Sequence, residues 1–168
     1  AALNAICAAL PDEAEYRLRL ALKQDGSHTI QTAVLSALVE PVKIMLAAQT
    51  MDADDLFLRH KSTIRTAYDA AWRAAEQQGA FDQLFCNTLG QVTEGGRSTL
   101  FVKLQGQWYT PPLTSGLLPG VMRAVVLADP AWDATEKILN LEDVRNAEQI
   151  YVCNALRGMV PAEMVWND

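Results

Sequence analysis

Between Gln83 and Pro112 the chain breaks into four short runs, "QLFCNT", "QVTEG", "STLFVKL" and "QWYTPP". Turn signals separate them: Leu89-Gly90, then Gly95-Gly96, then Gln105-Gly106. Runs of this length, rich in Val, Phe, Thr and Tyr and bounded by glycine, predict successive strands joined by tight turns. Such a stretch commits the middle of the chain to a sheet. Further strands are expected at "VKIMLAA" (42–48), "QIYVCNAL" and "RGMVPAEMV", the last opening at Gly158. Helices interleave with them. The strongest runs from about Ser62 to Gln78, with Ser62 or Thr63 as its cap and Gly79 as its stop. "LLPGVMRAVVLA" is a shorter one with Pro119 near its start, and "LEDVRNAEQ" another with acid near its beginning. Strands and helices mix without the regular alternation of a parallel α/β fold, so the expected class is α+β and sheet-rich.

The first forty residues read differently. Residues 1–10 carry Leu3, Ile6, Cys7 and Leu10 on one helical face, and Pro11-Asp12 stops the helix. "EYRLRLALKQDGSHTIQTAVL" then alternates around Asp25-Gly26, a hairpin that sets Tyr16, Leu18, Leu20 and Leu22 on one side. With 168 residues, half of them apolar and a fifth charged, the chain fits one domain or one domain plus part of another. The net charge of −6 argues against a nucleic-acid partner. No apolar run approaches the length of a membrane span, and "AALNAICAALPDEAEY" lacks the basic start of a signal peptide. Cys7, Cys86 and Cys153 are scattered and odd in number, with no metal-ligand spacing. They read as reduced thiols of a cytoplasmic protein.

Chemistry-bearing candidates are few. His28 sits at the hairpin turn and His60 abuts Lys61; both read as exposed or structural. "VTEGG" has no phosphate-loop lysine. Lys61 is expected at the mouth of a strand, flanked by the apolar residues Leu56, Phe57 and Leu58, and precedes a helix. Partial desolvation there would make it a nucleophilic amine, although an ordinary helix-start lysine fits as well. Glu94 alone reads as a turn residue. Together, a lysine and a distant carboxylate fit a pyridoxal phosphate site, where one holds the aldehyde and the other the ring nitrogen.

Lys61, the step to Glu94 in "VTEGGRSTLFV", then "YTPPL", "LLPGVMR" and "YVCNALRGMVP" occur in an order that resembles the fold-type-IV pyridoxal phosphate enzymes. The family includes branched-chain and D-amino acid aminotransferases and 4-amino-4-deoxychorismate lyase. The resemblance implies a D-amino acid aminotransferase-like large domain over 41–168, with a mixed sheet closed into a pseudo-barrel. It makes 1–40 the C-terminal part of a small α/β domain. "RHKST", with the following arginine and "YD", and "CNALRG" look most like the lyase, in the form fused to a chorismate-aminating synthase.

The resemblance assigns roles by position. Lys61 matches the Schiff-base lysine that also moves the Cα proton. Glu94 matches the acid beside the pyridine nitrogen, and Leu118 the apolar residue against the ring face. Val121 and Met122 match the helix-start pair whose N–H groups bind the phosphate. Asn154 matches a second phosphate contact, and Ala155 and Leu156 offer N–H groups to a substrate carboxylate. No metal is implied. The expected activity is conversion of 4-amino-4-deoxychorismate to 4-aminobenzoate and pyruvate. The alternatives are an aminotransferase of the same family or an inactive remnant that keeps the fold. A small-molecule substrate, a homodimer and a synthase domain, fused or separate, are the expected partners. Two departures stand out. The family often has Asn where Thr99 stands, and its early "H-x-x-R-L" arginine does not precede "LNAICAAL", so the chain reads as N-terminally incomplete.

Overall fold

The structure is a computed structural model and describes residues 2–166. The chain divides into two compact units, residues 1–38 and 39–168. In the first, helix α1 (Ala2–Ala9) precedes strands β1 (Tyr16–Leu22) and β2 (His28–Val34). Residue 1 lies outside the described residues. The two strands pair antiparallel from Tyr16↔Val34 to Leu22↔His28. Asp25 closes the turn by accepting from the N–H and hydroxyl of Ser27. The alternation read from the sequence is therefore a real hairpin. Tyr16, Leu18 and Ile30 are half-buried, but the other large apolar side chains are uncovered: Leu20 is 50% exposed, Leu22 74% and Val34 63%.

The second unit holds the sheet. Its strands are β3 (Val42–Leu46), β4 (Asp82–Cys86), β5 (Val92–Gly95), β6 (Thr99–Leu104), β7 (Gln107–Thr110), β8 (Thr135–Glu136), β9 (Gln149–Asn154) and β10 (Gly158–Val165). They run in the order β5-β4-β3-β10-β9-β6-β7-β8. Glu94 of β5 also pairs with Thr99 of β6, so β5, β4, β3, β10, β9 and β6 close into a ring, while β7 and β8 extend from the far end of β6. β3 lies parallel to both β4 and β10, whereas β4–β5, β6–β9 and β9–β10 are antiparallel. The expected α+β class with a mixed, closed sheet is what the chain forms. Closure removes the open edges that a flat sheet would expose. Leu100, Phe101 and Val102 of β6 are wholly buried.

Two helices of this unit pack against the sheet. Helix α2 (Thr66–Gln77) buries Tyr68, Ala71 and Ala75, spaced as one helical face. Tyr68 and Ala71 join Leu58 and Phe85 in one cluster, and Ala75 joins Met45 and Ala80 in another. Helix α3 (Val121–Ala128) sets Val126 against Phe101 and Cys153. A short helix α4 (Leu141–Arg145) opens with a capping box between Asn140 and Asp143.

Two expectations change. α2 begins at Thr66, not near Ser62, because the Ser62 hydroxyl accepts from the Ile64 N–H in a local turn rather than capping the helix. Lys61 follows a 3-10 turn, Leu56–Arg59, rather than a strand. β8 was not foreseen; two residues carry no periodicity to read. Among the described residues, no helix is long and apolar enough to cross a membrane.

Candidate active site

A cavity of about 540 Å³ lies where five segments of the second unit converge. These are the loop after β3, the segment from Phe57 to Tyr68, the β5–β6 turn, the start of α3 and the end of β9. The antiparallel β5–β6 pairing and the flanking helices carry their ends to one place. Lys61, Glu94, Leu118, Val121, Met122, Asn154 and Ala155 all line it. Leu156 does not: its N–H donates to the Asn154 side chain, and its own side chain is 42% exposed.

Glu94 is the acid of the site and is buried. Its Oε1 accepts from the Tyr68 hydroxyl at 2.8 Å and from the Leu118 N–H at 3.1 Å. Its Oε2 accepts from no described residue. Burial pushes its pKa from the ordinary 4.5 to about 7; the two donors and Arg65 pull it down, and the Asp82 carboxylate pushes it further up. Burial wins because two hydrogen bonds on one oxygen do not replace the water lost around the whole carboxylate. A cation placed against Oε2 would tip the balance back.

The Gly95-Gly96 turn after Glu94 has a steric cause. A Cβ on Gly95 would stand 2.3 Å from Asp82 Oδ2 and 2.7 Å from Ser98 Oγ; one on Gly96 would stand 2.9 Å from the Tyr68 carbonyl oxygen. Asp82 is itself buried and accepts from Ser98 Oγ at 2.6 Å and from the Arg97 N–H at 3.0 Å. Burial raises its pKa. This carboxylate braces the turn from beneath and does not line the cavity.

Lys61 is exposed on the cavity wall. The apolar shield expected from Leu56 and Phe57 does not form, for these are 63% and 48% exposed and only Leu58 turns inward. Opposite in sequence, α3 starts after Gly120 with no side-chain cap, so the N–H groups of Val121 and Met122 are free of intrahelical acceptors. The helix dipole makes that end suited to an anion. Asn154 spends its side chain locally: Oδ1 accepts from Leu156 and Arg157, and Nδ2 donates to the Arg97 carbonyl. Thr99 is buried, with its Oγ1 close to Gly120.

These residues fit pyridoxal phosphate. A primary amine faces the cavity, a buried carboxylate keeps one oxygen unpaired, an uncapped helix start can take a phosphate, and Leu118 supplies an apolar wall. Four contributors were not picked out from the sequence. Tyr68 and Arg65 sit on α2 and its cap, and Asp82 on β4. Arg123 is buried and holds the Pro111 carbonyl and Glu136, leaving its Nε unpaired. A buried polar residue on a helix face looks like any surface residue until its neighbours are known. Only the "R..YD" spacing after Lys61 hinted at two of them.

The sequence pattern of the amino-transferase class IV family matches residues 5–165. The chain belongs to this family. Its cofactor is pyridoxal phosphate. A relative in Schizosaccharomyces pombe, provisionally named aminodeoxychorismate lyase, is 30% identical over 167 residues, covering 96% of this chain and 72% of that protein. A provisionally named amino-acid aminotransferase of Mesorhizobium loti is 33% identical, with a TM-score of 0.85 over 97% of this chain and 80% of that one. A provisionally named 4-amino-4-deoxychorismate lyase of Legionella pneumophila is 26% identical, with a TM-score of 0.76 over 84% of this chain and 53% of that one. The family resemblance and the α+β fold class with a closed mixed sheet therefore hold.

Proposed function

We propose that this class IV enzyme acts as a lyase that releases 4-aminobenzoate and pyruvate from 4-amino-4-deoxychorismate. The observation that supports the pyridoxal phosphate chemistry is the shared cavity, with Lys61 on one wall and the half-paired carboxylate of Glu94 on another. When bound, the cofactor supplies an aldehyde for amines and a ring that withdraws electrons from the adjacent carbon. Lys61 would hold that aldehyde. Once displaced by the substrate amine, it would take the proton from the carbon bearing that amine. Glu94 would hold the ring nitrogen through Oε2. The N–H groups of Val121 and Met122, with the Asn154 turn, would hold the phosphate, Leu118 would flank the ring, and Ala155 would face a substrate carboxylate. The lyase reading rests on the similarity to the fission-yeast protein along nearly the whole chain.

The second reading is an aminotransferase, favoured by the similarity to the Mesorhizobium loti protein. Product analysis separates the two. With 4-amino-4-deoxychorismate and cofactor, the lyase yields 4-aminobenzoate and pyruvate in equal amounts. Amino transfer to a keto acid without these products would reverse the assignment. Borohydride reduction followed by peptide mapping should place the cofactor on Lys61; a label on Lys43 or Lys103 would remove Lys61 from its role. The reading also includes a homodimer, measurable by light scattering. The synthase that aminates chorismate, fused or separate, would supply the substrate.

A further inference from the structure

We propose that Tyr68 is a positioning residue that clamps Oε1 of Glu94 and so leaves Oε2 as the atom offered to the ring of a bound ligand. This rests on the pyridoxal phosphate reading of the site. The geometry is specific. The Tyr68 hydroxyl and the Leu118 N–H both donate to the same oxygen, from opposite directions along the chain. Tyr68 cannot swing away easily. It is buried, and its ring stands edge-on to Phe85 at 5.0 Å between centroids. The Arg65 guanidinium covers its ring at 5.5 Å.

The clamp also ties together two parts of the site that are distant in sequence. Arg65 donates to the Gly96 carbonyl in the turn that carries Glu94, and its Nε pairs with Asp69 at 2.9 Å. The Tyr68 carbonyl lies where a Gly96 side chain would start. The first turn of α2, which follows Lys61 closely, is thus fastened to the Glu94 turn by a tyrosine hydroxyl, an arginine and a glycine contact. A hydroxyl that donates to a carboxylate favours its charged form. Tyr68 therefore sets both where the charge sits and how readily it forms. Its own hydroxyl is held protonated, since burial and the adjacent Glu94 charge raise its pKa.

Tyr68→Phe tests this while keeping the ring on Phe85. The first readout needs no cofactor: an infrared titration of the Glu94 carboxyl in the ligand-free protein, with Glu94→Gln as the blank. The wild-type midpoint is expected at about 7, and Tyr68→Phe should move it upward. The second readout is affinity for pyridoxal phosphate against an analogue with carbon in place of the ring nitrogen. Wild type should prefer the nitrogen ring, and Tyr68→Phe should erode that preference about tenfold, as expected for one charge-assisted hydrogen bond. Its affinity for the carbon analogue should stay unchanged. An unmoved midpoint, or equal weakening of both ligands, overturns the clamp. A wild type that binds neither ligand overturns the pyridoxal phosphate reading instead, and the infrared midpoint then decides the clamp alone.

Discussion

Glu94→Gln should make the ligand-free protein more stable at neutral pH, and the gain should disappear in acid. The reasoning starts from burial. Glu94 is 6% exposed, and its pKa stands at about 7 in the folded protein against an ordinary 4.5. Between those values the folded state keeps a proton that the unfolded chain has released. Stability therefore falls as pH rises through this window and levels off on either side. The gap corresponds to about 3 kcal/mol, as an order of magnitude. Glutamine keeps the carbonyl oxygen that accepts from Tyr68 and Leu118 and places an uncharged amide where Oε2 stood, so the hydrogen bonds survive and the penalty does not. The assay is urea unfolding of wild type and Glu94→Gln from pH 4.5 to 8. The wild-type curve also contains Asp82, whose pKa burial raises. Asp82 titrates in both proteins, but its charge repels that of Glu94, so the difference between the curves, which should grow by up to about 3 kcal/mol toward pH 7.5, contains that mutual repulsion together with the burial of Glu94. Parallel curves would refute the argument, because they would mean that the two donors and Arg65 already offset burial. With pyridoxal phosphate bound, a cationic ring nitrogen beside Oε2 would favour the carboxylate, and the wild-type loss of stability should shrink.

Two other perturbations test the frame around the site. Gly95→Ala puts a methyl 2.3 Å from Asp82 Oδ2; because that oxygen is fixed by Ser98 and Arg97, thermal unfolding should show a loss of about 1–3 kcal/mol, whereas no loss would mean the brace yields freely. Thiol labelling of the native protein should modify Cys7, which is exposed, well before Cys153, which is 2% exposed with its thiol pushed up to about 12 by burial. Equal labelling rates would show that the β6–β9 core opens readily.

The strands and the order of the site residues were legible because they obey local rules. "QLFCNT" to "QWYTPP" announces its turns with glycine, and each run forms a strand. The ring closure was not legible from pattern alone. It depends on one pairing, Glu94 with Thr99 across the Gly95-Gly96 turn, and came only with the family resemblance. The Lys61 segment shows the limit of local reading. Leu56, Phe57 and Leu58 look like a hydrophobic shield, but a 3-10 turn directs one of the three inward and leaves the others in water. Glu94 shows the reverse case. A lone acid next to two glycines reads as a turn residue. Here the glycines are required because Asp82 and the Tyr68 backbone press against the turn from inside. The same close packing that excludes a side chain excludes water, and it is the exclusion of water that raises the Glu94 pKa. Glycine at this turn and an unsettled charge beside it are thus two consequences of one packing arrangement, and a cationic ring nitrogen at Oε2 would resolve the second without disturbing the first.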